Sequence, residues 1–155
     1  IITDTAHRKA RILDIKADRM LAELKMGRVL IVAGFQGVTT DAEETTLGRG
    51  GSNLTAVALA YALGAEVCEM NTDVDGIYTA DPRTDTQAKL YRKINYNTII
   101  KENLTIVDQS SVLLSRDHKM PMHFFDFSSN GMMLRICRGE DPGTLVTDVE
   151  EDVIE

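Results

Sequence analysis

The run Val29-Leu30-Ile31-Val32-Ala33 constrains the fold of this chain more than any other stretch. An uninterrupted apolar segment rich in β-branched residues predicts a strand covered on both faces, the setting of a strand inside an α/β sheet. Gly34-Phe35-Gln36-Gly37 forms a flexible corner after it, and Thr39 to Thr46 is too polar for core and reads as a hairpin or loop. Gly48-Arg49-Gly50-Gly51-Ser52-Asn53 follows, then a helical stripe of Leu54, Val57, Ala58 and Tyr61 closed by Gly64. Glu66 to Asn71 predicts a short strand. Strand, glycine loop, helix and strand in this order make a βαβ unit.

The flanking segments fit the same class. Ala10 to Ile15 reads as a strand, and Ala17, Met20, Leu21 and Leu24 fall at helical spacing before Gly27. Beyond Arg83 the chain is polar and turn-like to Lys93. Tyr96 to Lys101 and Ser111 to Asp117 read as helices, Met122 to Phe127 as a strand after Pro121, Met132 to Cys137 as a helix and Thr144 to Val146 as a last short strand. The acidic end, Asp148 to Glu155, reads as solvated, with Val149, Val153 and Ile154 placed for a weak terminal helix. The pattern predicts an α/β fold, a layered sandwich with a mostly parallel sheet and right-handed crossovers.

Composition narrows the function classes. A chain of 155 residues with 43% apolar and 26% charged residues can bury the core of one ordinary domain. Its net charge of -7 disfavours non-specific nucleic-acid or anionic-membrane binding, so a phosphate ligand needs local cations, glycine amides or Mg²⁺. Cys68 and Cys137 make no metal or redox spacing and read as buried thiols. With no disulfide framework, signal-like start or long uncharged apolar run, the expected setting is cytoplasmic. His7, His118 and His123 lack the spacing of helical metal ligands, and no metal site is expected from them.

Two segments could carry chemistry. In Gly48 to Ser52, glycines let a backbone approach an anion closely, and the following helix offers unpaired N–H groups. Arg49 adds a planar fork for carboxylate or phosphate. The plainer alternative is a flexible loop with Ser52 as helix N-cap. No Lys-Ser or Lys-Thr pair follows the glycines, so this is not a P-loop. The second segment, Thr72-Asp73-Val74-Asp75-Gly76-Ile77-Tyr78-Thr79-Ala80-Asp81-Pro82-Arg83, lies just past a predicted strand, where α/β sheets bind ligands. Asp75-Gly76 and Asp81-Pro82 are ordinary turn formers. Thr72, Asp73, Tyr78 and Arg83 around them supply acceptors, an amphipathic ring and a cation, the groups that a ribose, an adenine and a phosphate require.

Val32 to Val38, Thr45 to Ser52 and Thr72 to Arg83 together resemble the aspartokinase branch of the amino acid kinase superfamily. From about Ile94, Val107-Asp108, Ser115 to Pro121, and Arg138-Gly139-Glu140 through Gly143-Thr144-Leu145-Val146 look more like its bacterial uridylate kinase branch. The chain thus reads as an aspartokinase-like first part to about residue 92 joined to a uridylate-kinase-like remainder, with a chimera of the two as one reading. The resemblance implies a three-layer α/β/α sandwich and assigns 1–147 to the C-terminal, nucleotide-binding half of such a domain, with 148–155 as an acidic tail. It also implies an N-terminal half, bearing a lysine followed by glycines, that has no counterpart before Gly34.

By resemblance, Thr72, Asp73 and Tyr78 would line adenine and ribose, and Arg83 would face the phosphates. Arg49 would hold the α-carboxylate of aspartate, with Gly50, Gly51 and Ser52 near the reacting groups. Asn53 occupies the position of a family aspartate that organises catalytic lysines, and keeps hydrogen bonding without the charge. The implied activity is transfer of the γ-phosphoryl group of ATP, with Mg²⁺, to a small carboxylate acceptor such as aspartate. UMP as acceptor, or a catalytically silent nucleotide-binding half, are the alternatives. A homo-oligomer or a complementing N-terminal half is the expected partner, since half of a layered domain leaves apolar surface to cover.

Overall fold

Helices and strands are interspersed along the chain in the computed structural model, which describes residues 1–104 and 107–155. They form two compact units, Ile1–Ala65 and Glu66–Glu155.

The first unit is built on a four-stranded sheet of order β2-β1-β3-β4, with β1 Ile2–Thr3, β2 Ile12–Asp14, β3 Gln36–Val38 and β4 Glu44–Thr46. The polar stretch after Val38 is a hairpin loop: the Thr39 hydroxyl accepts the N–H groups of Asp41 and Glu43 at 3.3 and 3.2 Å, an ST-type turn. Behind it the buried hydroxyls of Thr3 and Thr45 share a hydrogen bond of 2.6 Å. Helix α1, Asp18–Lys25, forms at its predicted place but buries none of its residues. Helix α2, Gly51–Ala62, buries Thr55, Val57 and Ala58.

One expectation fails here. Val29–Ala33 forms no strand, and Val29 and Ile31 are 92% and 100% exposed. A strand buried on both faces needs layers packed above and below it, and this run is largely exposed and pairs with no strand among the described residues. The two-faced burial it predicted is found in the second unit instead.

That unit carries a five-stranded sheet of order β5-β7-β8-β6-β9, with β5 Cys68–Thr72, β6 Tyr91–Asn95, β7 Met122–Asp126, β8 Thr144–Thr147 and β9 Val153–Ile154. Strands β5 with β7 and β6 with β8 run parallel, whereas β7 with β8 and β6 with β9 run antiparallel, so the sheet is mixed where a mostly parallel one is expected. Strand β7 is an interior strand, flanked by β5 and β8, and Met122, His123, Phe124 and Phe125 are all buried. Ile77, Ile94, Ile99, Val112 and Val146 complete this core.

Three short helices accompany the sheet. Asn95 caps α3, Tyr96–Lys101, by accepting the Asn97 N–H at 2.8 Å, and Asp108 caps α4, Gln109–His118, through the Ser111 N–H at 3.0 Å. Helix α5 spans Met132–Cys137. The acidic end is neither free nor helical: β9 pairs with β6, Asp152 accepts the Asn95 N–H at 2.6 Å, and Arg92 pairs with Glu155. Cys68 is buried, and burial pushes its thiol up to about 11, whereas Cys137, at the exposed end of α5, is not the buried thiol its apolar surroundings suggested. No helix among the described residues is long and apolar enough to cross a membrane.

Candidate functional site

Strands β5 and β7 run parallel with Thr72 opposite Asp126, so their carboxyl ends open side by side. The loop leaving β5 walls a groove of about 750 Å³ there, lined along 73–78 and 80–83 and closed by Asn103, Leu104, Asp126 and Ser129. Ligands of α/β sheets occupy this position because the strands end and the loops diverge.

Each wall is fixed by a local bond. The Tyr78 hydroxyl donates to Asp75 Oδ2 at 2.9 Å, across the turn at Gly76. Burial, and then the Asp75 carboxylate, raise the Tyr78 pKa, which keeps the phenol protonated and the ring an uncharged platform. Arg83 donates to Asp81 Oδ1 from its backbone N–H at 3.0 Å and from Nε at 3.2 Å, and these bonds lower the Asp81 pKa. Asp126 accepts from the Ser128 N–H, the Ser128 hydroxyl and the Ser129 hydroxyl at 2.8, 2.6 and 2.7 Å, with its pKa lowered by them. Both carboxylates are therefore ionised at neutral pH.

Thr72 has a different part. Its hydroxyl lies 2.7 Å from the Val74 carbonyl and 3.1 Å from that of Phe125, and the Val74 N–H approaches it at 3.3 Å, so it pins the turn. It borders a neighbouring hollow of about 600 Å³ with Asn71, Asp73, Val74, Phe127 and Ser128. Asp73, Tyr78 and Arg83 share the main groove, and Asp73 lines both spaces. Asn103, Leu104, Asp126 and Ser129 were not singled out in the sequence. Asp126 had one available signal, its place at the end of a predicted strand.

In the first unit, Arg49, Gly50, Gly51, Ser52 and Asn53 gather at the start of α2. Gly50 takes φ +76 as the N-cap residue, a left-handed conformation that glycine adopts without strain, and no side chain caps the helix. Ser52 is therefore not the cap; it lies inside the first turn and is exposed. Arg49 is exposed as well, and Asn53 is half-buried. A guanidinium beside a left-handed glycine at a helix start is chemically suited to an anion.

Parallel strands with a groove at their carboxyl ends are the arrangement of a ligand-binding α/β protein. The sequence pattern of the Amino acid kinase family matches residues 1–126, and the chain belongs to that family. An aspartokinase of Pseudomonas aeruginosa is 45% identical over 159 residues, covering 100% of this chain and 36% of its own length. The chain thus spans little more than a third of that relative, and the likeness includes the part read as uridylate-kinase-like. Among solved structures, E. coli aspartokinase III in complex with aspartate and ADP superposes with a TM-score of 0.74 at 31% identity, over 97% of this chain and 33% of that one. UMP kinase from Bacillus anthracis gives 0.70 at 31% identity, over 88% of this chain and 52% of that one.

Proposed function

We propose that the groove beyond β5 binds the nucleoside end of ATP, and that the complete domain transfers the γ-phosphoryl group to a carboxylate of aspartate. The carrying observation is the groove itself, with Tyr78 held in its wall and ionised Asp81 and Asp126 at its rim. Four carboxylates, Asp73, Asp75, Asp81 and Asp126, face one cation, Arg83, among the residues lining it. That balance suits ribose hydroxyls and an exocyclic amine, which donate hydrogen bonds, and repels bare phosphates. The solved relative bound to aspartate and ADP supports the same pair of ligands.

The phosphates would leave the groove past Arg83. Among the described residues no group of three His, Cys, Asp or Glu side chains could hold a metal ion, so Mg²⁺ would arrive on the phosphates, whose charge it neutralises, as this ion commonly does. Arg49 would hold the aspartate α-carboxylate through its fork, with Gly50, Gly51 and Ser52 near the reacting groups. Asn53, without the charge of the family aspartate, would orient by hydrogen bonding alone. A side-chain carboxylate oxygen of aspartate attacks the γ-phosphorus, the bond to the β–γ bridging oxygen breaks, and an acyl phosphate and ADP result. Positioning supplies most of such catalysis. Since the chain covers 36% of the relative's length, transfer is proposed for the domain assembled with the rest of that length.

Calorimetry of this chain with Mg-ATP tests the binding step, and absence of heat at millimolar nucleotide would reject it. An ADP-release assay on the assembled domain, run with aspartate and with UMP, tests the acceptor. The likeness to UMP kinase makes UMP the second reading, and release with UMP alone would replace aspartate by it.

A further inference from the structure

Strand β7 holds a histidine between two apolar residues of the chain, Met122 and Phe124. His123, with its side chain 5% exposed, has Leu145 of β8 and Glu69 of β5 opposite it. Its Nδ1 is 2.7 Å from Glu69 Oε2, and its Nε2 is 2.6 Å from the Pro142 carbonyl and 3.3 Å from Asp141 Oδ1. Each ring nitrogen thus meets an oxygen acceptor. The Phe125 ring packs against it at 5.4 Å. Burying so polar a group in an interior strand is costly unless every bond is made.

The bond to Pro142 leads directly to the groove. The next residue, Gly143, has φ +91, and a Cβ there would stand 2.1 Å from the Phe124 carbonyl oxygen and 3.0 Å from that of Asp75. Thr144 follows, fully buried; its hydroxyl accepts the Ile77 N–H at 2.8 Å and donates to the Tyr91 carbonyl at 2.5 Å. The backbone from Asp75 to Ile77, which carries Tyr78, is therefore pressed against a segment whose preceding carbonyl His123 holds.

We infer that His123 is a positioning residue for the groove: clamped by Glu69, it fixes Pro142 and so sets Gly143 and Thr144 against the Asp75–Ile77 backbone. Its consequence for ligand affinity rests on the nucleotide reading above, whereas the clamp itself does not.

Amide hydrogen exchange on the full chain separates the two. In His123→Leu, the Ile77 amide should exchange about tenfold faster, the effect of one weakened hydrogen bond, while core amides of Ile94 and Val112 keep their protection. Mg-ATP affinity should fall in parallel. Equal acceleration at all three amides would make His123 a general core residue, and no acceleration at Ile77 would remove the clamp; either result overturns the inference. Should His123→Leu not fold, His123→Gln retains a single amide donor and is judged by the same selectivity at Ile77. If the unaltered protein binds no Mg-ATP, the nucleotide reading fails while exchange at Ile77 still decides the clamp.

Discussion

The Thr55 hydroxyl accepts the N–H of Phe35 at 3.1 Å and donates to the Gly51 carbonyl at 2.7 Å, joining the corner after Gly34 to the first turn of α2. Phe35 sits at φ +72, a conformation costly for a bulky side chain unless its surroundings hold it. Thr55→Val keeps the shape and removes both bonds. We expect it to cost about 1–3 kcal/mol, the penalty of a polar group left unpaired, while Thr55→Ser stays close to the parent. Urea denaturation measures both; equal midpoints for Val and Thr would show that the hydroxyl does not hold the corner.

Tyr78 separates ring from hydroxyl in the groove. Tyr78→Ala should weaken Mg-ATP binding at least about tenfold by removing an aromatic face, and Tyr78→Phe should retain most of the affinity, since the hydroxyl is engaged by Asp75. Titration calorimetry on the three proteins gives the ratio. A larger loss for Phe than for Ala would assign the hydroxyl, not the ring, to the ligand.

Gly143→Ala should be among the most damaging single-methyl changes in the second unit. The added carbon meets the Phe124 carbonyl oxygen at 2.1 Å in a left-handed backbone, so the β7–β8 pairing or the loop must shift. A loss of about 2–4 kcal/mol, or failure to accumulate folded protein, is expected. Chemical denaturation checks it, and stability within 0.5 kcal/mol would mean that this contact relaxes freely.

Tyr96 makes stability depend on alkaline pH. Burial pushes its phenol up to about 12, while its hydroxyl donates to the Met120 carbonyl at 2.7 Å. The folded state then keeps a proton that the unfolded chain gives up near its ordinary pKa of about 10, so this contribution is complete below that pH. It declines as pH rises toward 12, by up to about 1.4 kcal/mol per unit. Melting curves from pH 9 to 11.5 should show a slope that Tyr96→Phe reduces; an identical slope in the variant would place the dependence elsewhere.

Local signals made much of the chain legible. The polar stretch before Thr46 became the β3–β4 hairpin, and 132–137 became α5 as read, because caps, glycines and periodicity act over a few residues. Strand β6 carries no period-two signal in the sequence, because its buried residues, Tyr91 and Ile94, stand three apart among polar ones. The acidic end is largely exposed, as its composition predicts, but β9 is created by its pairing with β6 and replaces the helix that Val149, Val153 and Ile154 suggest.

The site divides along the same line. Sequence by itself determined the loop from Thr72 to Arg83, the glycine-led start of α2 and the family, since these are runs of residues that act where they stand. Only the tertiary structure decided that Asp126 and Asn103 close the groove and that Thr72 pins a turn. It also decided that His123 grips Glu69 and Pro142, and that Val29–Ala33 pairs with no strand among the described residues. Strand pairing and side-chain hydrogen bonds join residues tens of positions apart, and whether an apolar run becomes a strand depends on the edge it meets.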